Sequence, residues 1–208
     1  EACGSGVELI RDGFSGFTCA TGDRDALRDS LLRVHHCRSL PDIGGRARAF
    51  AEPYGAARWA DRWIGQAEKV IEPTRDTIQK SATMYLAMKG LLAKHHAQAI
   101  TINCLGGFYG GHVTAYPCLG YCQMNSDGSF VGACEADLTS TMTMLVGRAL
   151  VGRPGYISDP VIDTSKNQII YAHCVAPTKV FGPGGPSNPY HIRSHSEDRK
   201  GASMRSLM

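Results

Sequence analysis

The chain has 208 residues, of which 43% are hydrophobic and 20% charged, with a formal net charge of +3. That length allows a real hydrophobic core, and the composition is that of a soluble globular protein. So small a charge, scattered except for Arg46, Arg48, Arg58 and Arg62, argues against a nucleic-acid partner, and no stretch approaches the ~20 apolar residues that span a bilayer.

Residues 1 to 22 are Gly-rich with short apolar runs, Val7 to Ile10 and Gly16 to Cys19, which suit strand and turn. From Asp23 to Leu40 the spacing predicts a helix, with Leu27, Leu31, Val34 and Cys37 on one face, Asp23 as N-cap and Pro41 as stop. Residues 41 to 72 carry Gly44-Gly45, Pro53-Tyr54-Gly55 and both tryptophans without a readable period. There, Gly-Gly before Arg46 and Arg48 admits an anion site or, more simply, a loop with solvated arginines.

Glu72-Pro73-Thr74 opens a helix running to His96, because Pro is at ease in a first helical turn. Its stripe is Ile78, Ala82, Tyr85, Leu86 and Leu92, and Ala99 to Ile102 follows as a buried strand. A Gly-rich loop (106–111) and a turn at Asn125-Ser126-Asp127-Gly128 come next. Ser129 to Cys134 reads as a strand and Glu135 to Val151 as a helix with Leu138, Met142, Leu145, Val146 and Leu150 on one face, ended by Gly152 and Pro154. Gly155 to Ser158 and Gln168 to Val175 read as strands separated by a turn at 163–167.

Strand, helix, strand between 129 and 158 makes a βαβ unit if both strands share a parallel sheet. Glu135 and Asp159 then follow the carboxyl ends of the two strands, the edge where open α/β sheets bind ligands. Two carboxylates brought together repel unless a cation or a proton intervenes, and hard oxygen donors suit Mg²⁺ or Mn²⁺. Ordinary accounts exist too. A Glu in a first helical turn suits the helix dipole, and Asp before Pro opens turns.

Eight cysteines stand at irregular positions, several inside apolar runs such as Thr101 to Leu105, where Cys acts as a small hydrophobe. The expected state is reduced. No signal-peptide pattern opens the chain, and the expected compartment is the cytoplasm. The chain begins Glu1-Ala2-Cys3 and stops at Leu207-Met208, which reads as a segment of a longer protein.

The run Ala133 to Leu138, then Thr143-Met144-Leu145, Gly152-Arg153-Pro154, Asp159 and Ile169 to Cys174, resembles the C-terminal half of the L-fucose isomerase-like family. Tyr116 to Gly120 and Asn125 to Gly128 are similar to the family's lead-in to its metal Glu, and Arg193 to Gly201 is similar to a motif of its less characterised members. Order and spacing, over residues 73 to 208, carry the likeness. It implies an α/β fold: a parallel-sheet, Rossmann-like domain leading into a β-rich C-terminal domain. The boundaries it implies are residues 1–72, the end of an N-terminal α/β domain; 73–158, the domain with the metal Glu; and 159–208, the start of the β-rich domain.

The activity implied is a metal-dependent aldose–ketose isomerase working through an ene-diol. Glu135 and Asp159 would be ligands of Mn²⁺ (or Mg²⁺) and carriers of the proton, with Asp163 as the fallback for Asp159. His173 corresponds to a His of the related L-arabinose isomerases and is the candidate third ligand. The family's final His is expected beyond residue 208. His195 and His112 are the candidates for contact with the sugar. The resemblance also implies a small-molecule sugar substrate and a homo-oligomer. Two other readings remain: a sugar-binding relative without the chemistry, and a zinc-binding structural module on Cys118, Cys122, Cys134 and Cys174.

Overall fold

The computed structural model describes residues 10–51, 55–195 and 199–206, with backbone alone for 48–51. Residues 7–9 of the first apolar run, Pro53 and Tyr54, and residues 196–198 of the downstream motif lie outside the described residues. The described residues up to Arg58 form one compact unit and those from Trp59 another.

In the first unit, α1 (Arg24–His36) starts where Asp23 accepts a hydrogen bond from the Ala26 N–H at 2.8 Å. Its predicted stripe is not a core: none of its residues is buried. The stretch without a readable period is helical, as α2 (Leu40–Ala51) and then α3 (Ala56–Gln66), which from Trp59 onward belongs to the second unit. Gly44-Gly45 lies inside α2, and the Arg46 Nε–H donates to the Phe14 carbonyl at 2.8 Å with its guanidinium over the Phe14 ring. Arg46 is therefore held locally.

The second unit is mixed α/β with small sheets. β1 (Lys69–Val70) pairs in parallel with β6 (Tyr190–His195), and β6 pairs antiparallel with β7 (Lys200–Ser206). The long helix α4 (Arg75–Lys94) is capped by Thr74, so Pro73 stands before the helix and not in its first turn. Of the expected face it buries Ile78, Ala82, Tyr85 and Leu92, with Met88 beside them and Leu86 half-buried. Trp63 of α3 is fully buried, packs its ring against Tyr85 at 5.7 Å, and donates its indole N–H to Gln123 Oε1 at 2.9 Å. At ~25 cal/mol per Å² over the ~200 Å² of such a ring, that burial contributes about 5 kcal/mol.

β2 (Ala99–Ile102) and β3 (Val131–Cys134) are parallel neighbours, with Ile102 opposite Cys134. Two helices cross between them: α5 (Cys104–Tyr109) and α6 (Cys118–Asp127). Both replace irregular structure expected from the sequence. Gly106 is drawn into α5 because the Asn103 side chain accepts its N–H at 3.1 Å, capping the helix. Asn125, Ser126 and Asp127 form the last turn of α6, not a loop. From Cys118 to Ser126 every residue of α6 but Gln123 is buried, because the helix lies among β3, β7 and α4.

The packing of α6 on β3 uses Gly132, where a Cβ would come within 2.8 Å of the Tyr121 Cα. There the Asn125 amide donates to the Gly132 carbonyl at 2.8 Å and accepts the Gly132 N–H at 3.1 Å. A side chain thus takes the place of a third strand on β3.

That arrangement corrects the βαβ unit expected between 129 and 158. Residues 153–158 form no strand. The next strand, β4 (Asp159–Asp163), pairs antiparallel with β5 (Gln168–Ala172), Asp159 standing opposite Ala172. The free edge of β3 is already occupied by Asn125, while the turn closes a local hairpin: Asp163 Oδ1 accepts from the Ser165 N–H at 3.0 Å and its hydroxyl at 2.6 Å. This bonding accounts for Asp163 as a turn residue.

Between β3 and β4, α7 (Leu138–Val151) ends at Gly152, whose φ of 66° is the left-handed cap. The face expected to be core points outward. Leu138 is 72% exposed and Leu150 79%, and the helix packs on Val131 and Ala133 through Met144, with Leu145 partly buried beside it. Among the described residues no helix is long and apolar enough to cross a membrane.

Candidate functional site

Glu135 is the first residue beyond β3, and it is not part of a helix. The chain turns at Ala136, with a left-handed φ of 64°, and α7 is capped by Asp137, which accepts from the Ser140 N–H at 2.8 Å and its hydroxyl at 2.6 Å. Those hydrogen bonds hold the Asp137 carboxyl below its usual range. The helix-dipole account of Glu135 therefore passes to Asp137, and Glu135 is left exposed at the strand's end.

Asp159 opens β4, and its register opposite Ala172 brings it beside His173. His173 Nε2 lies 3.7 Å from Asp159 Oδ2; the histidine side chain is 9% exposed and the aspartate 86%. The His173 pKa is raised, first by its hydrogen bond to Cys174 and then by the charges of Cys174, Asp159 and Glu135, against the opposing effect of burial. Three of the residues singled out in the sequence thus act on one imidazole.

His173 faces two ways. Its Nδ1 lies 3.5 Å from Cys174 Sγ, and Cys174 Sγ lies 3.5 Å from Cys118 Sγ. Cys118, Cys174 and His195 present ligand atoms within 4.8 Å of one another, all three residues buried; Cys134, His173 and Cys174 form a second such set. The positions follow from topology: Cys134 and His195 end β3 and β6, Cys118 begins α6, and Cys174 stands just past β5. Hydrogen bonds from Cys118 and Cys134 draw the Cys174 thiol well below its usual pKa, with those of His173 and His195 adding to them. By contrast, burial pushes Cys122 up to about 12; its thiol donates to the Ala176 carbonyl at 3.1 Å.

His195 is only 8% exposed and is stacked on Tyr116 at 4.2 Å, with Phe108 stacked on the other ring contact of Tyr116 at 4.2 Å. It lies with the buried thiols Cys118 and Cys174. His112 is exposed on the loop after α5 with its ring against Gly110, and it is in neither ligand set. Three of these cysteines, Cys118, Cys134 and Cys174, stand together in the zinc module weighed from sequence, whereas His195 beside them has no signal in the spacing.

Glu72 positions the strand that carries His195. It accepts from Arg193 Nη2 at 2.6 Å and from the Ser194 N–H at 3.1 Å, and Arg193 first, then Ser194, holds its carboxyl at about 2 against an ordinary 4.5. A lowered carboxyl pKa stabilises the fold fully above the unfolded value, and the contribution disappears as pH falls through the folded one. Thermal unfolding of Glu72→Gln is therefore expected to differ from the parent most at neutral pH, the two curves converging as pH drops from about 4.5 to about 2. Curves that stay parallel over that window would remove Glu72 as the cause.

A mixed α/β protein with Asp159 beside His173, over a buried thiol and imidazole group, is the class the geometry defines. Comparison with known proteins narrows it. The chain is 28% identical over 178 residues to the sulfoquinovose isomerase of Alkalicoccus urumqiensis, covering 82% of this chain and 38% of that relative. It is 29% identical over 92 residues to the sulfoquinovose isomerase of Clostridium sp. (strain MSTE9), covering 44% of this chain and 20% of the relative. The chain thus spans well under half the length of either relative. No family model matches. These likenesses suggest a sugar isomerase family.

Proposed function

We propose that the chain contributes the catalytic carboxylates of an aldose–ketose isomerase, with sulfoquinovose as the first substrate to try. The observation that carries this reading is the meeting of Asp159 with His173 at 3.7 Å, with the Glu135 charge acting on the same imidazole. The likeness to two sulfoquinovose isomerases supports it independently.

Two exposed carboxylates and a largely buried imidazole suit a hard divalent ion in donor type, and neither carboxylate stands in a close ligand set with His173 in this structure. Glu135, Asp159 and His173 would hold it. When bound, such an ion polarises the sugar carbonyl and acidifies the neighbouring C–H. The chain's own work is proton transfer. One carboxylate removes the proton from the carbon beside the carbonyl while the carbonyl oxygen takes a proton from the other carboxyl group, giving an ene-diol. The neighbouring hydroxyl then gives its proton back to that group as the first proton is returned to the former carbonyl carbon. His173, held by Cys174 on its Nδ1 side, has only its Nε2, beside Asp159, left to offer such an ion. Finer parts of the reading go with it: β2–α5–α6–β3 as a piece of a Rossmann-like sheet, and a homo-oligomer, supported by the apolar faces of α7 and the β4–β5 hairpin that stand exposed.

The test is conversion of aldose to ketose by the full-length protein, stripped with EDTA and resupplied with Mn²⁺, Mg²⁺ or Zn²⁺, on a panel of sulfoquinovose, fucose and other aldoses. Turnover restored by Mn²⁺ or Mg²⁺ on at least one sugar is expected. No ketose from any sugar with any ion would overturn the reading in favour of a binder without chemistry.

A further inference from the structure

Three thiols and two imidazoles converge from the ends of separate elements, and the proposed reaction uses only one face of one imidazole. Apolar packing explains a buried Cys taken singly, as at Cys122, whose thiol is satisfied by a carbonyl. It does not explain why His195 should be buried with its ring nitrogen in reach of Cys118 and Cys174. Nor is this a disulfide. Bonded sulfurs lie about 2.05 Å apart, and Cys118 and Cys174 are 3.5 Å apart and free. Zinc–sulfur bonds of about 2.3 Å at the tetrahedral angle put two sulfurs about 3.8 Å apart, close to the separation seen.

We propose that Cys118, Cys134, Cys174 and His195 form a buried site for a soft or borderline divalent metal, with zinc the expected ion. Cys118, Cys174 and His195 supply three mutually close ligand atoms; Cys134 meets Cys174 in the second set, with His173, and would close on the ion as the fourth ligand. Three thiolates and one imidazole with no position left for water is the composition of a structural zinc site, and soft ligands select zinc over manganese or magnesium. The site ties the carboxyl ends of β3 and β6 to the start of α6 and the residues after β5. It therefore fixes the backbone on either side of Glu135 and His173. The zinc module imagined from spacing alone differs in one ligand, Cys122 giving way to His195. The inference does not depend on the isomerase reading.

Cobalt reports the ligands directly. The full-length protein, reduced and stripped of metal, is titrated with Co²⁺ under argon. A thiolate-to-cobalt charge-transfer band in the near ultraviolet and strong tetrahedral bands in the red are expected, saturating at one ion per chain and bleached by Zn²⁺. Cys174→Ser and His195→Gln are each expected to alter those bands and to weaken Zn²⁺ binding by at least the ~10–100-fold that loss of an outer-shell partner costs. Cys122→Ser and Glu135→Gln are expected to leave the bands as they are. Weak octahedral bands alone in the parent protein overturn the proposal whatever the variants do, and so do thiolate bands that survive Cys174→Ser. Because the readout is spectral, a failed sugar assay leaves it intact, and an absent band leaves the sugar assay intact.

Discussion

Glu135→Gln is expected to lower isomerase turnover by about 10²–10⁴-fold, the range a positioned acid–base group supplies, with no change in thermal unfolding. The substitution keeps size and shape, and it removes both the negative charge and the ability to take a proton. The fold has little to lose, since Glu135 is exposed and the cap of α7 is Asp137. Asp137→Ala makes the contrast: it removes two hydrogen bonds to Ser140 and is expected to lower the unfolding temperature while turnover persists. A second consequence concerns His173, whose pKa is raised in part by the Glu135 charge. Its titration, followed by NMR, is expected to move to lower pH in Glu135→Gln. Full turnover in Glu135→Gln would end the assignment of Glu135 as the proton carrier.

The largest effect on stability is expected at Asn125. Asn125→Ala leaves the N–H and C=O of Gly132 buried without their partners, and each such loss costs about 1–3 kcal/mol, so about 2–6 kcal/mol together. Asn125 is 4% exposed, which leaves little room for water to substitute. Asn125→Asp keeps an acceptor for the Gly132 N–H but sets an oxygen against the Gly132 carbonyl; a smaller though still marked loss is expected. Urea unfolding measures both. The midpoint should fall in the order parent, Asn125→Asp, Asn125→Ala at unchanged m. An Asn125→Ala midpoint equal to the parent's would mean that the edge of β3 does not need its substitute strand.

Local signals were legible where a period of 3.6 coincided with a cap. Asp23 caps α1, α4 buries most of the face its apolar spacing marks, and α7 ends at Gly152. β2 and β3 appear as short apolar runs, and the closeness of Asp159 to His173 follows from a hairpin whose turn, Asp163 to Asn167, is visible in the residue types. Such features depend on interactions within a few residues, and a chain carries those in its order.

What the order concealed depends on burial from several sides at once. α6 contains Gly120, Asn125 and Ser126, which propensity assigns to a turn; it is a helix because β3, β7 and α4 surround it and its polar groups bond across to Gly132 and Thr178. α7 shows the reverse case, an apolar stripe that the fold leaves exposed because β3 needs only its Met144 side. The βαβ unit drawn through Asp159 was wrong for a reason no period could show, the occupation of the β3 edge by one side chain. The cluster of Cys118, Cys134, Cys174 and His195 spans 78 positions of sequence with no common spacing. Only the meeting of strand ends and a helix start brings those ligand atoms together, because metal-like geometry is set by distances in space and the chain records only distances along itself.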